Sequence, residues 1–424
     1  MAHSLAILGG AQVSDRQWPR WPQPGPRALK SLEDVLHSGR WTISCAYQGR
    51  PSYEEQFADA FAEYCGTEFC VPTSTGSASL SIALEACGVG AFDEVVVPGL
   101  SWVASASAVL GINAIPVLVD VDPATYCVDP DAVAAAITER TRAITVVHAY
   151  SSIADLTALT EIARRHGLPL IEDCAHAHGA RYRGQAVGSI GAAGAFSMQG
   201  TKLLTAGEGG AVVTNDPEVA DRADHLRSDG RRRSRAPLNV GDMELLETGH
   251  MMGSNACLSE FHAAVLLDQL DLIDGQNMRR RESAAYLDQR LARFGCVGQV
   301  TTEGTTERTY YRYATRLPKE ILEIVPVATV IDALTAELGF PVLSAYRPLN
   351  DNPLHRPDTR RRFAANPEYL AQVNPKRFDL PVTKDIHESV VTFGHEVLLA
   401  PIEAMEEIAL AFEKVTAHIG EIAP

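Results

Sequence analysis

The stretch FSMQGTKLLTAGEGGAVVT, residues 196–214, places Lys202 between a short apolar run and a glycine-rich turn. An apolar segment, residues 211–214, follows the turn directly and has the composition of a strand. A lysine held on such a scaffold is partly desolvated, which lowers the pKa of its amine and makes it a better nucleophile toward carbonyls. A lysine on an exposed loop is the competing interpretation, and the chain upstream decides between the two.

The upstream chain alternates between apolar, β-branched runs and helical patterns. The runs predict strands at residues 69–72, 94–98, 115–120, 143–147, 168–172 and 195–198, in addition to 211–214. The patterns between them predict helices at residues 79–86, 103–110, 131–138 and 156–166. This alternation indicates an α/β fold with a mainly parallel sheet sandwiched by helices. In such sheets ligands bind beyond the carboxyl ends of the strands, so functional residues are expected there.

Changes of composition along the chain predict three segments. Residues 1–27 contain the proline-rich run WPRWPQPGP, which forbids regular helix, so we expect an extended arm whose Trp18 and Trp21 pack on the protein. Residues 28–275 carry the strand–helix alternation and are predicted to form a large ligand-binding domain. Residues 276–424 begin with a charged helix and end in an amphipathic helix, which indicates a smaller C-terminal α/β domain.

The formal net charge of the chain is -16, which argues against nucleic acid or an anionic membrane as a partner, because both need a basic surface. The 8 cysteines form no C-x-x-C pair and are expected to be reduced thiols. No apolar run approaches the ~18 residues of a membrane span, and the start of the chain lacks the basic region of a signal peptide. We therefore expect a cytoplasmic protein with small-molecule partners.

The first predicted strand runs into TSTGSASL, residues 73–80, a turn rich in Gly, Ser and Thr that leads into a helix. Free backbone N–H groups and the helix dipole favour an anion at such a place, and Ser77 beside Gly76 adds a hydroxyl. An ordinary helix cap is the alternative. The chain contains neither G-x-G-x-x-G nor a P-loop pattern, so nothing indicates a nucleotide as the source of the anion.

Two further strand ends carry candidate ligand-binding side chains. Trp102 follows the second predicted strand and can stack on a ligand ring or belong to the core. Asp173 follows the fifth, where a buried carboxylate needs a cationic partner from the protein or from a ligand. The neighbouring His176 and His178 raise a metal site as an alternative, but the spacing lacks a third nearby ligand and leaves Lys202 without a role. The sequence therefore favours a site without a metal.

An anion cradle, an aromatic plate, an acid and a lysine at the ends of different strands match the needs of pyridoxal 5′-phosphate. Its phosphate needs the cradle, and its ring needs the stacking partner. Its pyridine nitrogen needs a carboxylate that keeps it protonated, and its aldehyde needs a lysine for a Schiff base. The joint occurrence of these parts is much more specific than any one of them, and it favours Lys202 as a functional lysine.

Motifs spread over nearly the whole chain carry a family resemblance. They are TGSASLSIAL (75–84), DEVVVPGLSWVASASAV (93–109), ITERTRAITVVHAY (137–150), IEDCAHAHGA (171–180), FSMQGTK (196–202), GEGGAVVTND (207–216) and GSNACLSEFHAAVLLDQL (253–270). With these motifs the sequence resembles the DegT/DnrJ/EryC1/StrS aminotransferases, which act on keto-sugars and keto-cyclitols. The resemblance implies the aspartate-aminotransferase-like fold type I, with pyridoxal 5′-phosphate as cofactor and a homodimer whose active sites are shared between subunits.

The resemblance also implies roles for single residues around the cofactor ring. Lys202 forms the Schiff base and then moves the proton, and Asp173 pairs with the pyridine nitrogen. Trp102 stacks on the ring. His176 occupies a position where the family often has Gln or His near the ring hydroxyl.

A second set of implied residues binds the phosphate. Gly76, Ser77 and Ser197 hold it, and Asn255 reaches the phosphate of the neighbouring subunit. One departure from the family pattern is Ser151-Ser152, where the family commonly has a glycine after the tyrosine. This departure bears on the local turn and not on the chemistry.

Within the family, three details look most like the keto-cyclitol aminotransferases of aminoglycoside antibiotic biosynthesis. They are WPRWPQ near the start, SEFHAAVLLDQL, and FGHEVLLA at 393–400. The resemblance implies ping-pong transamination from L-glutamine to scyllo-inosose or 2-deoxy-scyllo-inosose. A 3-amino-5-hydroxybenzoate synthase and a nucleotide-linked keto-sugar aminotransferase are the alternatives inside the family.

Two alternatives belong to other functional classes. A keto-sugar dehydratase of the same fold characteristically has histidine at the position of Lys202, so the lysine argues against this lyase. A non-catalytic binding protein has no need for the complete set of cofactor-binding side chains. The sequence favours the aminotransferase over both.

The arginine run at residues 231–235 is a further candidate. Arg231, Arg232, Arg233 and Arg235 open a long segment, 231–252, in which no regular pattern is recognised. Arginine pairs with carboxylates in a bidentate way, so these side chains could bind the carboxylate of the amino donor. A solvated loop is the alternative.

Overall fold

The seven strands predicted before residue 215 are all present and form one sheet in the computed structural model, which describes residues 4–234 and 236–423. The strands in chain order are β1 (Phe69–Thr73), β2 (Glu94–Pro98), β3 (Ile115–Val119), β4 (Thr141–Val147), β5 (Leu170–Asp173), β6 (Arg181–Tyr182), β7 (Gln185–Ala186), β8 (Ala193–Ser197), β9 (Gly210–Thr214), β10 (Arg231–Arg233), β11 (Leu245–Glu247), β12 (Val297–Gly298), β13 (Thr305–Glu307), β14 (Arg312–Arg316), β15 (Leu343–Ser344) and β16 (Val390–Gly394).

The central sheet has the order β1-β9-β8-β5-β4-β2-β3. Strands β8, β5, β4, β2 and β3 pair in parallel, whereas β9 pairs antiparallel with both β1 and β8. Alternate residues face opposite sides of a strand, and along β2 Val95 and Val97 enter one buried cluster while Val96 enters another. The sheet is therefore covered on both faces, and the predicted mainly parallel α/β fold is confirmed.

The helices cover this sheet and a second one. In chain order they are α1 (Ala28–Ser38), α2 (Tyr53–Cys65), α3 (Gly76–Ala86), α4 (Ala104–Gly111), α5 (Pro130–Ala136), α6 (Leu156–His166), α7 (Pro217–Arg227), α8 (Glu260–Leu270), α9 (Ile273–Leu291), α10 (Lys319–Leu322), α11 (Val327–Leu338), α12 (Arg361–Ala364), α13 (Pro367–Val373), α14 (Pro381–Ser389) and α15 (Ile402–Ala417). Within the described ranges, no helix combines the length and the apolar character needed to cross a membrane.

A second core lies around a four-stranded antiparallel sheet of order β12-β14-β16-β15. Helices α9, α11 and α15 contribute to it, with Leu287, Leu334 and Phe412 among its buried members. Helix α9 serves both cores, because Ile273 at its start belongs to the cluster under the central sheet. The division of the chain at residues 27 and 275 stays a prediction.

The N-terminal arm packs through its two tryptophans, as expected. Trp18 lies edge-on against Phe340 at 4.9 Å, and its indole N–H donates to the Leu338 carbonyl at 2.8 Å. The indole N–H of Trp21 donates to the backbone carbonyl of Lys202 at 3.1 Å. The arm therefore reaches the turn that carries Lys202.

The prediction of an irregular segment at residues 231–252 was wrong for two short stretches, which form strands β10 and β11. Strands β10 and β11 form a short antiparallel ladder in which Arg231 pairs with Glu247 and Arg233 pairs with Leu245. Only one side chain of β11, that of Leu245, is buried. A ladder of charged, mostly unburied residues has no apolar alternation, so its sequence carries no strand signal.

Candidate active site

A cavity of about 460 Å³ lies at the carboxyl ends of the parallel strands. Seven of the predicted site residues line it: Gly76, Ser77, Trp102, Asp173, His176, Ser197 and Lys202. The structure therefore brings these seven residues together in one cavity. Residues from the second sheet complete the wall.

Lys202 lies in the turn between β8 and β9 and is only 8% exposed. Its backbone N–H donates to the Gln199 carbonyl at 2.8 Å, which fixes the turn, and its Nζ lies 4.1 Å from the centre of the Tyr311 ring. Burial lowers the pKa of the amine, and this effect outweighs the opposing influence of Tyr311 and Asp173. The neutral, nucleophilic form of Lys202 is therefore favoured at lower pH than for an exposed lysine.

Asp173 is the last residue of β5 and is 5% exposed. One of its carboxylate oxygens accepts from the Ser105 hydroxyl at 2.8 Å, and the other accepts from the Ala175 N–H at 3.1 Å. Burial raises the pKa of this carboxyl group, against the hydrogen bond from Ser105. Within residues 4–234 and 236–423, no Lys, Arg or His nitrogen lies within 4.0 Å of it. A cationic ligand would supply the partner that this carboxylate lacks.

His176 is held as a neutral ring. Burial lowers the pKa of its imidazole well below the usual value, and the charge of Lys202 acts in the same direction. Its Nδ1 accepts the backbone N–H of Tyr150 at 3.3 Å, so the remaining proton is on Nε2, 3.4 Å from the Tyr346 hydroxyl. The ring stacks on Tyr311 at 4.0 Å between centres.

The anion cradle is the start of helix α3. The Thr75 hydroxyl accepts from the Ala78 N–H at 3.1 Å and so caps the helix, while Gly76 and Ser77 occupy its first two positions. A Cβ atom at Gly76 would overlap Ser197, the last residue of β8. The absence of a side chain at Gly76 therefore lets the helix start and the end of β8 approach each other, with hydroxyl groups on both sides.

Trp102 lies between β2 and α4 and is 49% exposed although it lines the cavity. Its ring is tilted by 53° against Tyr346 at 6.1 Å. Trp102 is therefore not a core residue, and its exposed face leaves room for a ligand ring to stack on it.

Asn255 does not line the cavity. It is exposed and forms an isolated backbone bridge with Ser228. The structure of one chain thus places it apart from the other predicted site residues. Its proposed contact with a neighbouring subunit is not tested by this placement.

The described arginines of the run, Arg231, Arg232 and Arg233, also lie outside the cavity. Three of its side chains pair with carboxylates of their own chain: Arg231 with Asp229 at 3.3 Å, Arg232 with Asp221 at 3.9 Å, and Arg233 with the buried Glu54. Arg235 lies outside the described residues. The structure of one chain therefore gives no support to donor binding by this run.

The serine pair after Tyr150 forms a closed turn without glycine. Tyr150 itself takes the left-handed conformation, with φ of 54°, and the Ser152 N–H returns to the Ala149 carbonyl at 3.0 Å. The N–H and hydroxyl of Ser151 both donate to the Gln299 side chain, at 3.2 and 2.8 Å. These hydrogen bonds hold the turn that the departure from the family pattern had put in doubt.

A metal site at His176 and His178 finds no support from the side-chain positions. Among the described residues, one group brings together three possible ligand atoms, and it consists of His148, Glu172 and Cys174. The carboxylate of Glu172 already accepts three backbone N–H groups at 2.6 to 2.9 Å, besides its contact with His148. These hydrogen bonds account for the burial of the Glu172 carboxylate without a metal ion.

Among the cavity-lining residues that the sequence did not reveal are Tyr311, Arg312 and Tyr346, which come from beside the second sheet. Tyr311 and Arg312 lie at the start of β14, and Tyr346 follows β15. The segment YYRY at residues 310–313 falls in a predicted strand region, but no local pattern shows that it returns to the central sheet. Only the packing of the two cores brings these side chains to Lys202.

We expect Tyr311 to ionise before the other tyrosines. Burial acts to raise the pKa of its hydroxyl, but the charge of Lys202 and a hydrogen bond with Thr201 outweigh burial and lower the pKa to about 8. Titration of the ligand-free protein, followed by tyrosinate absorbance, should show a step near this pH. The step should vanish in Tyr311→Phe and persist in the control Tyr47→Phe; a step that survives in Tyr311→Phe contradicts the assignment.

The sheet, the desolvated lysine and the surrounding side chains define an α/β enzyme of the aspartate-aminotransferase-like fold type I. Residues 24–409 match the DegT/DnrJ/EryC1/StrS aminotransferase family, and the chain belongs to this family. It is an aminotransferase, in agreement with the sequence prediction.

Relatives of known name resemble the chain over its full length. The L-glutamine:scyllo-inosose aminotransferase of Streptomyces griseus is 70% identical over 422 residues, which cover 100% of both chains. The L-glutamine:2-deoxy-scyllo-inosose aminotransferase of Streptomyces fradiae is 56% identical over 423 residues, again with 100% of both chains covered. Among solved structures, 3-amino-5-hydroxybenzoic acid synthase has a TM-score of 0.78 and 32% identity, covering 96% of this chain and 99% of its own.

Proposed function

We propose that the protein is a pyridoxal 5′-phosphate-dependent aminotransferase that moves an amino group from L-glutamine to a keto-cyclitol in aminoglycoside antibiotic biosynthesis. The acceptor is scyllo-inosose or 2-deoxy-scyllo-inosose. The observation that carries the proposal is the single cavity in which Lys202, Asp173 and the start of α3 converge. The names of the relatives at 70% and 56% identity support the donor and the class of acceptor.

The residues of the cavity fit the cofactor. Gly76, Ser77 and Ser197 would hold its phosphate, because the helix start offers free N–H groups and hydroxyls where a Cβ would block the approach. Asp173 would pair with the ring nitrogen, since burial leaves the carboxylate in need of a cation. Trp102 would cover the ring. When bound, pyridoxal 5′-phosphate supplies a carbonyl that amines condense with and a ring that withdraws electrons.

Lys202 has the properties of both a nucleophile and a base. Its neutral form is favoured by burial, so Nζ has a free electron pair available for a carbonyl carbon. Released from that carbon, the same Nζ can take the proton from the α-carbon of the donor and deliver it within the cavity. The hydrogen bond from Trp21 to the Lys202 carbonyl and the bond to Gln199 hold the backbone while the side chain moves.

His176 completes the ring site in this proposal. Because its Nδ1 is occupied by a backbone N–H, the side chain presents a proton on Nε2 and carries no charge. A neutral donor of this kind suits a ring hydroxyl of the cofactor, the role that the family resemblance implies. Its stacking on Tyr311 fixes the orientation of the imidazole.

We further propose a homodimer with shared active sites and a cytoplasmic location. Asn255 is exposed outside the cavity of its own chain, which leaves its amide available to the phosphate site of a neighbouring subunit. All cysteines are free thiols, which supports a reducing compartment. Sedimentation at equilibrium and an Asn255→Ala variant with weakened cofactor binding would support the shared site; a catalytically competent monomer would contradict it.

The substrate assignment is tested by a panel. The purified protein, loaded with the cofactor, is incubated with L-glutamine or L-glutamate and with scyllo-inosose, 2-deoxy-scyllo-inosose or a nucleotide-linked keto-sugar. Mass spectrometry then identifies the amine. We expect the cyclitol amines with L-glutamine as donor; amination of the nucleotide-linked keto-sugar alone would overturn the assignment of acceptor.

Gly76→Ala should weaken cofactor binding by at least about tenfold, because about 1.4 kcal/mol of lost phosphate contacts suffices for that factor. The added Cβ would collide with Ser197 and push the helix start away from the end of β8. Equilibrium dialysis with pyridoxal 5′-phosphate measures the change. Gly275→Ala is the matched control, since a Cβ there meets nothing within 4 Å. Equal affinity of the two variants would contradict the cradle.

A further inference from the structure

Two rings from distant parts of the chain hold the turn that carries Lys202. The indole N–H of Trp21, in the N-terminal arm, donates to the Lys202 carbonyl at 3.1 Å. The imidazole Nε2 of His395, which directly follows β16, lies 3.0 Å from the carbonyl of Thr201. The two rings meet edge to face, with 4.6 Å between their centres. Consecutive carbonyls of the turn are therefore bound by two rings that also contact each other.

His395 is the donor in this contact, because a carbonyl oxygen only accepts and the imidazole must supply the proton. The side chain is buried, and burial lowers the pKa of the imidazole well below its usual value, so the ring is neutral. Its single proton is then on Nε2, which faces Thr201. Nδ1 has no hydrogen-bond partner among the described residues, so no second contact competes for the proton.

The three stretches that carry the resemblance to keto-cyclitol aminotransferases lie together at this turn. WPRWPQ supplies Trp21, and FGHEVLLA supplies His395. SEFHAAVLLDQL spans helix α8, where the Gln269 amide donates to the Gln23 carbonyl at 2.8 Å. In the same helix Asp268 accepts two backbone N–H groups of the arm, at 2.7 and 2.9 Å. The third stretch therefore holds the arm in the position from which Trp21 reaches the turn.

The shape of the turn and its position in the protein depend on different contacts. Within the turn, the Lys202 N–H donates to the Gln199 carbonyl, and the N–H and hydroxyl of Thr201 donate to the Gln199 side chain at 2.9 and 2.8 Å. These hydrogen bonds fix the shape. Trp21 and His395 lie outside the turn, so their hydrogen bonds fix where it sits. Because Nζ extends from this backbone, a displaced turn displaces the amine.

Neither Trp21 nor His395 lines the cavity, so neither is placed to bind the cofactor or a substrate there. Their contacts bear on the reaction only through the Lys202 backbone. A displacement of a reacting group by about 1 Å can cost about 100-fold in rate. A small movement of the turn therefore suffices to affect the chemistry.

We infer that Trp21 and His395 are positioning residues, which hold the backbone of the Lys202 turn so that Nζ stays aligned with the reacting carbon. This inference rests on the proposed role of Lys202. The same amine moves a proton in both halves of the reaction, so loss of either donor slows both halves by the same factor. A residue that binds one substrate would affect one half.

The first test is Trp21→Phe, which keeps an aromatic ring against His395 but removes the N–H. We expect kcat to fall about tenfold, with the KM of each substrate within about twofold of its original value. Trp18→Phe is the matched control, because it removes an indole N–H of the same arm that donates to the Leu338 carbonyl at 2.8 Å. It should lower the melting temperature by a similar amount but keep kcat within about twofold. An unchanged kcat in Trp21→Phe, or an equal loss in both variants, would overturn the positioning role.

The second test compares two substitutions of His395. His395→Leu removes the donor and should lower kcat about tenfold, whereas the amide nitrogen of His395→Gln can replace Nε2 and should restore kcat to within about threefold. Rapid mixing of the loaded protein with L-glutamine or with the keto-cyclitol should show both half-reactions slowed equally in His395→Leu. No recovery in His395→Gln, or slowing of one half alone, would contradict the inference. If His395→Leu does not fold, the two tryptophan variants decide.

A measurement without the cofactor separates this inference from the proposed function. Acetic anhydride labels neutral amines, so the pH dependence of labelling of the Lys202 peptide reports the pKa of Nζ in the ligand-free protein. The tryptophan variants leave in place the ionisable groups that face this amine, which are Tyr311, Asp173 and Arg312.

A displaced turn admits water to Nζ and weakens the effect of burial. The midpoint of labelling should therefore move to higher pH in Trp21→Phe and stay in place in Trp18→Phe. An unchanged midpoint in Trp21→Phe would overturn the positioning role, whichever substrates the enzyme uses. A shifted midpoint in a protein that aminates no keto-cyclitol would support the positioning role and overturn only the proposed acceptor.

Discussion

Replacing Lys202 with alanine should lower kcat by at least about 10⁴-fold, because the proposed reaction uses its amine both as the nucleophile and as the base that moves the proton. The protein should remain folded, since alanine leaves the backbone hydrogen bonds to Trp21 and Gln199 in place. Amino transfer from L-glutamine measures the loss, and circular dichroism checks the fold.

A chemical readout accompanies this prediction. Borohydride reduction of the unsubstituted, cofactor-loaded protein should attach the cofactor to the peptide that contains Lys202, as shown by peptide mass mapping. The control variant Lys319→Ala changes a lysine that is 86% exposed and should keep both the activity and the labelled peptide. Full turnover by Lys202→Ala, or labelling of a different lysine, would end the assignment.

Asp173→Asn should lower kcat/KM by about 10³-fold, because the amide is neutral and cannot hold a proton on the cofactor ring nitrogen. The amide has nearly the shape of the carboxylate, so it keeps a hydrogen-bond acceptor for the Ser105 hydroxyl. The measured quantities are the rate of amino transfer and the affinity for pyridoxal 5′-phosphate. The rate should fall much more than the affinity.

Ser105→Ala is the matched control for Asp173. It removes the hydroxyl that donates to the carboxylate at 2.8 Å but retains the charge. We expect a loss between about 10-fold and about 100-fold, because one hydrogen bond to a charged group contributes about 1.5–3 kcal/mol. If Ser105→Ala and Asp173→Asn lose equal activity, the charge of Asp173 is not what the reaction uses.

The central sheet could be predicted because its strands are buried on both faces. Such strands are short apolar, β-branched runs, and runs like Val95–Val97 are visible without any partner. Helix α6 was predicted with both ends correct, since Asp155 caps its start and Gly167 ends it in the left-handed conformation. The residues at the strand ends could be predicted for a related reason. A parallel sheet places Asp173 and Ser197, the last residues of two neighbouring strands, at the same edge, independently of the conformation of the connecting loops.

The second sheet could not be placed in the same way. Tyr311, Arg312 and Tyr346 reach the cavity only because β14 and β15 pack beside the central sheet. That contact depends on how two separate cores pack together. The spacing of apolar residues within a single segment carries no information about this packing. The arginine run shows the limit of local charge as a signal: its charges indicated a ligand carboxylate, whereas Arg233 pairs with the buried Glu54 of its own chain.

The arm that donates a hydrogen bond to Lys202 also has a consequence for biosynthesis on the ribosome. Trp18 rests on the carbonyl of Leu338, a residue 320 positions later. At about 5–20 residues per second, roughly 16 to 64 seconds pass before this docking surface is made. During that interval Trp18 has no acceptor for its indole N–H, although Lys202, the acceptor of Trp21, is already made. Part of the first segment synthesised is therefore among the last to reach its native place. The arm can therefore hold both its contact with the lysine turn and its contact with the second core only after residue 338 has been made.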